Sequence, residues 1–455
     1  MKPIITLINT PKMVFPEENF IQGKTEIEID KTYPIGLLYI SSSIKKNNKI
    51  LVNYLDANFY NMNDKQIIDY LKNNNSKYVA LNSTFPNLEV LVNLTKKIKE
   101  EIPNIKTIVG GPAVTLDSEK IIKYKSIDFI VRGEGEKTIN QLLETLENKK
   151  YLSLVKGITY INQGKIISTN EQDKINLEEL PLLDLEVIPY ELKELNDEIS
   201  LFTSRGCTSN CSYCSTPVIW GKGKKNIRRF SINKIFEEIE NHKKNGFKFK
   251  TVHFIDDNFT SNWEFIENFI DKWNQTYKKE NLKWRSLSRI KEINSEYKLK
   301  KMADSGCIQL SVGIESTSNK ILKEIGKGIE ISEVNKFLYN SKKAKIKTKG
   351  FFMIGFPNEN KEDVINTLDY ALNAGFDDIA INIVKAYPKT RLYESIKKEN
   401  QKLPQYKNTT LDNGPLENKI NKYSLNPDIS LSSTPIKELI YLKNKTLKEF
   451  YKNKI

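Results

Sequence analysis

Histidine, cysteine and long apolar runs are what this chain has least of. Its 455 residues include two histidines and four cysteines. Four cysteines are too few to staple a chain of this length, so a disulfide scaffold is excluded. No window reaches about 18 uninterrupted apolar residues, which excludes a transmembrane helix and leaves no membrane partner expected. The opening run, Met1-Lys2-Pro3-Ile4-Ile5-Thr6-Leu7-Ile8-Asn9, reads as a strand. It is too short and too mixed for a secretory signal, so a cytoplasmic protein with reduced thiols is expected. Acidic side chains also run short, 57 against 71 basic ones, for a net charge of +14 and a pI of about 9.2. Such a balance can serve a nucleic-acid partner. Here, however, the lysines spread along nearly every helix-like segment, and the densest basic stretch, 341–349, has no interleaved aromatic. The charge reads as background lysine usage, and no nucleic-acid partner is expected.

What remains is a folded, multidomain composition: 39% hydrophobic and 28% charged, with length for roughly two to four domains. Strand patterns at 4–8, 50–55, 78–81, 107–109 and 129–131 alternate with helical patterns at 35–45, 64–72, 88–100 and 118–124. One helix between successive strands implies βαβ units and a parallel sheet, with ligands at the C-terminal strand ends. Residues 157–167 read as a hairpin turning at Asn162-Gln163-Gly164. A second β/α series has strands expected at 200–203, 251–255, 284–288, 308–314, 348–354 and 378–384. Six such units suit a partial barrel whose site lies at its C-terminal mouth. The expected domains are 1–145, a hairpin-bearing connector at 146–194, a barrel at 195–400 and an extension at 401–455.

Three of the four cysteines fall together in Arg205-Gly206-Cys207-Thr208-Ser209-Asn210-Cys211-Ser212-Tyr213-Cys214. Three thiolates on one loop can hold three irons of a [4Fe-4S] cluster and leave the fourth iron open to a small molecule. Zinc is the alternative. It wants four Cys or His ligands, and the remaining candidates are Cys307, in a strand-like context where a buried apolar role is simplest, and His242.

The C-x3-C-x-aromatic-C pattern, with Tyr213 as the aromatic, resembles the radical S-adenosylmethionine (SAM) superfamily over roughly 195–400. Further landmarks fall in order: Phe254-Ile255-Asp256-Asp257-Asn258-Phe259, then 306–316 ending at Glu315-Ser316, then Phe352-Met353-Ile354-Gly355-Phe356-Pro357, then 387–393. The resemblance implies that Cys207, Cys211 and Cys214 hold the cluster and that SAM chelates its open iron. It further implies that one electron from a donor such as flavodoxin or ferredoxin cleaves SAM to a 5′-deoxyadenosyl radical, which abstracts a hydrogen from a small-molecule substrate. Tyr213, Asp256 and Glu315 are the expected SAM contacts. A salt bridge is the plainer reading of Glu315, and a helix cap of Asp256 or Asp257.

The first 145 residues resemble the cobalamin-binding domain fused to radical SAM enzymes, through Pro34-Ile35-Gly36-Leu37, Val109-Gly110-Gly111-Pro112 and Val131-Arg132-Gly133-Glu134-Gly135-Glu136. The resemblance implies cobalamin contacts at Gly110, Gly111, Pro112, Gly133, Glu134 and Gly135, where the absent Cβ atoms of the glycines would let a flat macrocycle approach the backbone. Many cobalamin proteins carry Asp-x-His-x-x-Gly. Here Asp56-Ala57-Asn58 puts Asn58 at the histidine position, so a cobalamin bound without a histidine ligand from this domain is expected. The implied fold is α/β: an N-terminal Rossmann-like (flavodoxin-like) parallel sheet, a partial (β/α)6 TIM-like barrel and a short helical C-terminal region. The implied function is a cobalamin-dependent methyltransferase acting on an unactivated carbon or phosphinate centre. The alternatives are a non-methylating rearrangement, cyclisation or oxidation on the same domains, and a non-catalytic metal-binding interaction protein.

Overall fold

The computed structural model describes residues 2–11, 32–400 and 430–452. They divide into two units, one holding the described residues of Met1–Val14, Ile29–Asn196 and Asn233–Lys248, the other those of Asp197–Ile232 and Phe249–Ile455.

In the first unit, β1 (Ile4–Asn9), β2 (Leu51–Asp56), β3 (Tyr78–Asn82), β4 (Lys106–Gly110) and β5 (Phe129–Val131) pair in parallel in the order β2-β1-β3-β4-β5. This is the doubly wound order, and its switch point lies between β1 and β3. Helices cover both faces of such a sheet, so its inner strands are apolar almost throughout: Ile5, Leu7, Ile8, Val79 and Leu81 are all buried. The hairpin β6 (Ile158–Asn162) and β7 (Lys165–Ser168) is not set apart as a connector. It pairs antiparallel with β5 and lengthens the sheet to seven strands. Ile158 and Tyr160 join the core beneath Phe129 and Val131, and that burial holds the hairpin in place.

The helix Ile232–Lys244, inside the stretch 195–400 expected to form the barrel, groups with this first unit. Its buried face carries Glu238 and His242 among Ile235, Phe236 and Ile239. His242 Nδ1 donates to the Glu238 carbonyl at 2.7 Å, and Nε2 accepts from the Tyr33 hydroxyl at 3.0 Å. Glu238 accepts from Leu183 N–H at 3.1 Å and from the Tyr39 hydroxyl at 3.3 Å. Burial pushes the His242 imidazole down to about 4 and the Glu238 carboxyl up to about 7. The folded chain therefore binds the His242 proton less well than the unfolded chain does. The stability this confers is complete above the unfolded value of about 6.5 and is lost as pH falls toward 4, roughly 3 kcal/mol in all. Glu238 acts in the opposite sense. Urea midpoints measured from pH 7 to 4 should fall less steeply in His242→Gln than in the parent, and equal slopes would contradict the assignment.

The second unit is built on β8 (Glu198–Leu201), β11 (Thr251–Phe254), β12 (Lys283–Ser288), β13 (Cys307–Glu315), β14 (Lys347–Ile354) and β15 (Asp378–Ile383). All pair in parallel in the order β15-β14-β13-β12-β11-β8, and β15 does not meet β8, so the sheet is an open half-barrel. Side chains alternate along β12 and β14 as the pleat requires. Phe254 stacks on Phe259 at 4.6 Å, with Phe269, Trp273 and Trp284 packed edge-on around them. Between β8 and β11 a two-stranded ribbon, β9 (Ser204–Arg205) with β10 (Arg228–Arg229), brackets the cysteine segment. The sequence carries no length signal for strands this short. The helix Ile436–Lys452 lies against β15, where the Tyr451 hydroxyl donates to Asp378 at 2.7 Å. The rest of the expected extension, 401–429 and 453–455, lies outside the described residues. No described helix is long and apolar enough to cross a membrane.

Candidate metal and cofactor site

The cysteine segment leaves β9 through Gly206, whose φ of +106° suits glycine alone, and a Cβ there would stand 3.0 Å from the Asn226 carbonyl. The loop is tied down from distant segments. Ser212 N–H donates to the Ile325 carbonyl at 2.8 Å, Leu392 N–H donates to the Ser212 carbonyl at 2.9 Å, and Arg391 donates to the Asn210 carbonyl. Cys207, Cys211 and Cys214 thereby line one cavity of about 210 Å³ at the C-terminal ends of β11, β12 and β13. All three are free thiols. Burial pushes the Cys214 thiol up to about 11 and raises Cys207 as well.

Among the described residues no three His, Cys, Asp or Glu side chains converge on a point that could hold a single ion. Cys207, Cys211 and Cys214 lining one cavity supply the three thiolates a [4Fe-4S] cluster with one open iron takes, one fewer than the four ligands of a structural zinc site. Cys307 lies apart, buried in the sheet with its thiol directed at the Gln309 carbonyl, and cannot serve as a fourth ligand.

The other expected contacts divide. Glu315 lines the cavity and has a φ of +75°, the left-handed region rarely visited by side-chain-bearing residues, where β13 breaks register with β14. Its carboxylate pairs with Lys327 at 2.6 Å, each side chain only 7% exposed. Tyr213 packs edge-on against Phe356 at 5.9 Å. Burial, then the neighbouring Glu315, holds its hydroxyl well above the usual phenol range.

Asp256 does not line the cavity. It is fully buried and accepts from Thr203 N–H at 3.0 Å, Thr203 Oγ1 at 2.9 Å and Ser204 Oγ at 2.5 Å, a clamp that fixes the chain entering β9. Its neighbour Asp257 lines the cavity and accepts from Thr216 Oγ1 at 2.9 Å. Arg289 and Lys327 line it too. Neither carries a sequence signal, because one follows β12 and the other lies in a loop after β13, both far in sequence from the cysteines.

In the first unit the expected cobalamin residues lie past β4 and β5, and the physical reason differs from one to the next. Gly111, at φ +104°, is required by the protein itself, since a Cβ would collide with the Ser83 backbone and Asn82. A Cβ on Gly135 would meet Ile40 at 2.9 Å, so that glycine serves helix packing. A Cβ on Gly133 (φ +68°) would meet nothing within 4 Å, and one on Gly110 only Val131, which leaves these two open to an approaching ligand. Pro112 starts the short helix Pro112–Leu116. Glu134 is buried and accepts from Ile175 N–H at 2.9 Å, which makes it a tie to the following segment rather than a free contact. At the switch point, Asn87 donates to Thr10 Oγ1 at 2.9 Å and Asn9 to Asp56 at 2.8 Å. Amides and hydroxyls form this rim, with Asn58 following directly after β2.

Comparison with known proteins agrees with this geometry. The Radical SAM superfamily model matches residues 201–371, and the B12 binding domain model matches 30–143. A protein of Pyrococcus horikoshii named as an uncharacterized methyltransferase is 31% identical over 369 residues, covering 79% of this chain and 78% of the relative. An anaerobic magnesium-protoporphyrin IX monomethyl ester cyclase of Cereibacter sphaeroides is 23% identical over 396 residues, 85% of this chain and 64% of the cyclase. The radical SAM methyltransferase TsrM of Kitasatospora setae, solved with cobalamin and a [4Fe-4S] cluster, has the same fold: TM-score 0.71 at 14% identity, covering 88% of this chain and 75% of TsrM. Its cysteine-lined half-barrel and its doubly wound N-terminal sheet make this chain a member of the cobalamin-binding radical SAM enzymes, whose cofactors are a [4Fe-4S] cluster, SAM and cobalamin.

Proposed function

We propose that the protein is a cobalamin-dependent radical SAM methyltransferase that methylates an unactivated carbon or phosphinate centre of a small molecule. The observation that carries this reading is the gathering of Cys207, Cys211 and Cys214 around one cavity in a chain that also matches the B12 binding domain. The methyltransferase name of the Pyrococcus horikoshii relative supports methyl transfer as the outcome. When bound, the cluster and SAM supply a 5′-deoxyadenosyl radical, and cobalamin carries the methyl group.

The chain's own part is placement and exclusion of water. Cys207, Cys211 and Cys214 take three irons. Asp257 and the Glu315–Lys327 pair offer one carboxylate to the amino group of SAM and a second, with a cation, to its polar remainder. Tyr213, braced by Phe356, closes one side against solvent. Gly110 and Gly133 leave backbone open for a macrocycle, while Gly111, Pro112, Glu134 and Gly135 hold the turns that present it. A one-electron donor protein such as flavodoxin or ferredoxin supplies the reducing equivalent.

Anaerobic reconstitution with cobalamin and SAM, in the presence of the small-molecule fraction of the source cells, tests the reading by mass spectrometry. S-adenosylhomocysteine and 5′-deoxyadenosine are expected in similar amounts. 5′-Deoxyadenosine alone, from protein holding cobalamin, overturns methyl transfer and favours a ring-forming or oxidative reaction, the reading to which the cyclase relative points.

A further inference from the structure

One half-buried cation beside the cysteines has no part in the roles above. Arg289, just past β12, directs Nη1 at Cys211 Sγ across 3.6 Å, and its Nη2 donates to the Lys327 carbonyl. The guanidinium is thus held by the loop that carries Lys327. That loop bends back through Gly326 and Gly328, with φ of +69° and +72°. On the far side, Cys211 Sγ lies 3.8 Å from the Gly326 carbonyl. The cationic head is clamped between a backbone acceptor and one cysteine sulfur, and the carboxylate of Glu315 has its own cation in Lys327. Arg289 is therefore not consumed by that ion pair.

A thiolate ligand that accepts a charge-assisted N–H hydrogen bond in a partly desolvated site loses electron density to the donor, and a fixed positive charge favours the extra negative charge of a reduced cluster. Hydrogen bonds to the sulfurs and local net charge are among the determinants of iron–sulfur potentials. We propose that Arg289 is a positioning residue for electron entry: through Cys211 it raises the reduction potential of the cluster and so makes the reduced state accessible to its donor. The inference rests on the cluster reading given above. It concerns the cluster before SAM arrives, and a SAM-free experiment therefore separates this role from any contact between Arg289 and SAM.

The experiment is a redox titration followed by electron paramagnetic resonance, on full-length protein reconstituted anaerobically without SAM, with iron counted in every sample. Arg289→Gln removes the charge, and Arg289→Lys keeps it while losing the planar fork. At a fixed potential near the parent's midpoint, the ratio of reduced to oxidised cluster in Arg289→Gln should fall about tenfold or more, which for a one-electron couple is a shift of about 59 mV to lower potential. Arg289→Lys should lie between the two. Full iron content with an unchanged midpoint in Arg289→Gln overturns the proposal. Should Arg289→Gln fail to hold iron, Arg289→Lys decides: at full iron content its midpoint should lie below the parent's, and an unchanged midpoint overturns the proposal. A parent that takes up no four-iron cluster overturns the cluster reading itself, an outcome the iron count keeps distinct.

Discussion

Replacing Cys211 with alanine should abolish the iron-dependent visible absorption of the reconstituted protein and reduce 5′-deoxyadenosine formation to background. The argument is one of ligand number. A cluster held by three thiolates that loses one has two protein ligands and a second open iron, and the structure offers no substitute. The one other cysteine, Cys307, is buried in the sheet with its thiol directed at the Gln309 carbonyl. The fold should survive, because Cys211 lies on a loop anchored by backbone bonds from Ser212 to Ile325 and Leu392, and the aromatic core of Phe254, Phe269, Trp273 and Trp284 does not depend on it. Circular dichroism like the parent's together with lost iron is the expected pair of results. Retained iron in Cys211→Ala would remove this residue from the ligand set.

The second large effect concerns Lys327. Its ion pair with Glu315 is buried on both sides, and a buried charge stripped of its partner costs about 3–5 kcal/mol, far more than a surface pair is worth. Lys327→Met should therefore lower the unfolding free energy from urea denaturation by that order and weaken SAM binding. Glu315→Gln alone leaves an unpaired ammonium in the same space and should be costly too. The double variant Lys327→Met/Glu315→Gln removes both charges and should recover most of the stability without recovering SAM binding. That divergence separates a pair kept for its ligand from one kept for the fold. Additive losses in the double variant would show that the two side chains act independently and would contradict the geometry.

Much of this architecture was legible in the sequence because its signals are local. The strands β1 and β3 are short apolar runs, and the six parallel strands of the second unit lie within a residue or two of their expected positions. The cysteine spacing is local as well. What escaped is what depends on contacts between distant segments. Asp256 and Asp257 are neighbours at the end of β11. Which of them faces inward to Thr203 and which outward to the cavity is set by β8 and β9 fifty residues earlier. Arg289 meets Cys211 across 78 positions, a contact no periodicity announces. Helix Ile232–Lys244 has an ordinary amphipathic pattern, and its sequence does not say that its buried face will serve Tyr33, Tyr39 and Leu183. A missing Cβ in a sequence does not reveal what occupies the space: at Gly111 and Gly135 a Cβ would meet the protein's own Ser83 and Ile40.

The central claim, that three cysteines hold a cluster whose open iron takes SAM, is tested most directly by iron analysis and electron paramagnetic resonance of the reduced, reconstituted protein with and without SAM. About four irons per chain, with a cluster signal that changes when SAM is added, is the predicted result. A single zinc per chain, or a four-iron signal indifferent to SAM, would contradict it.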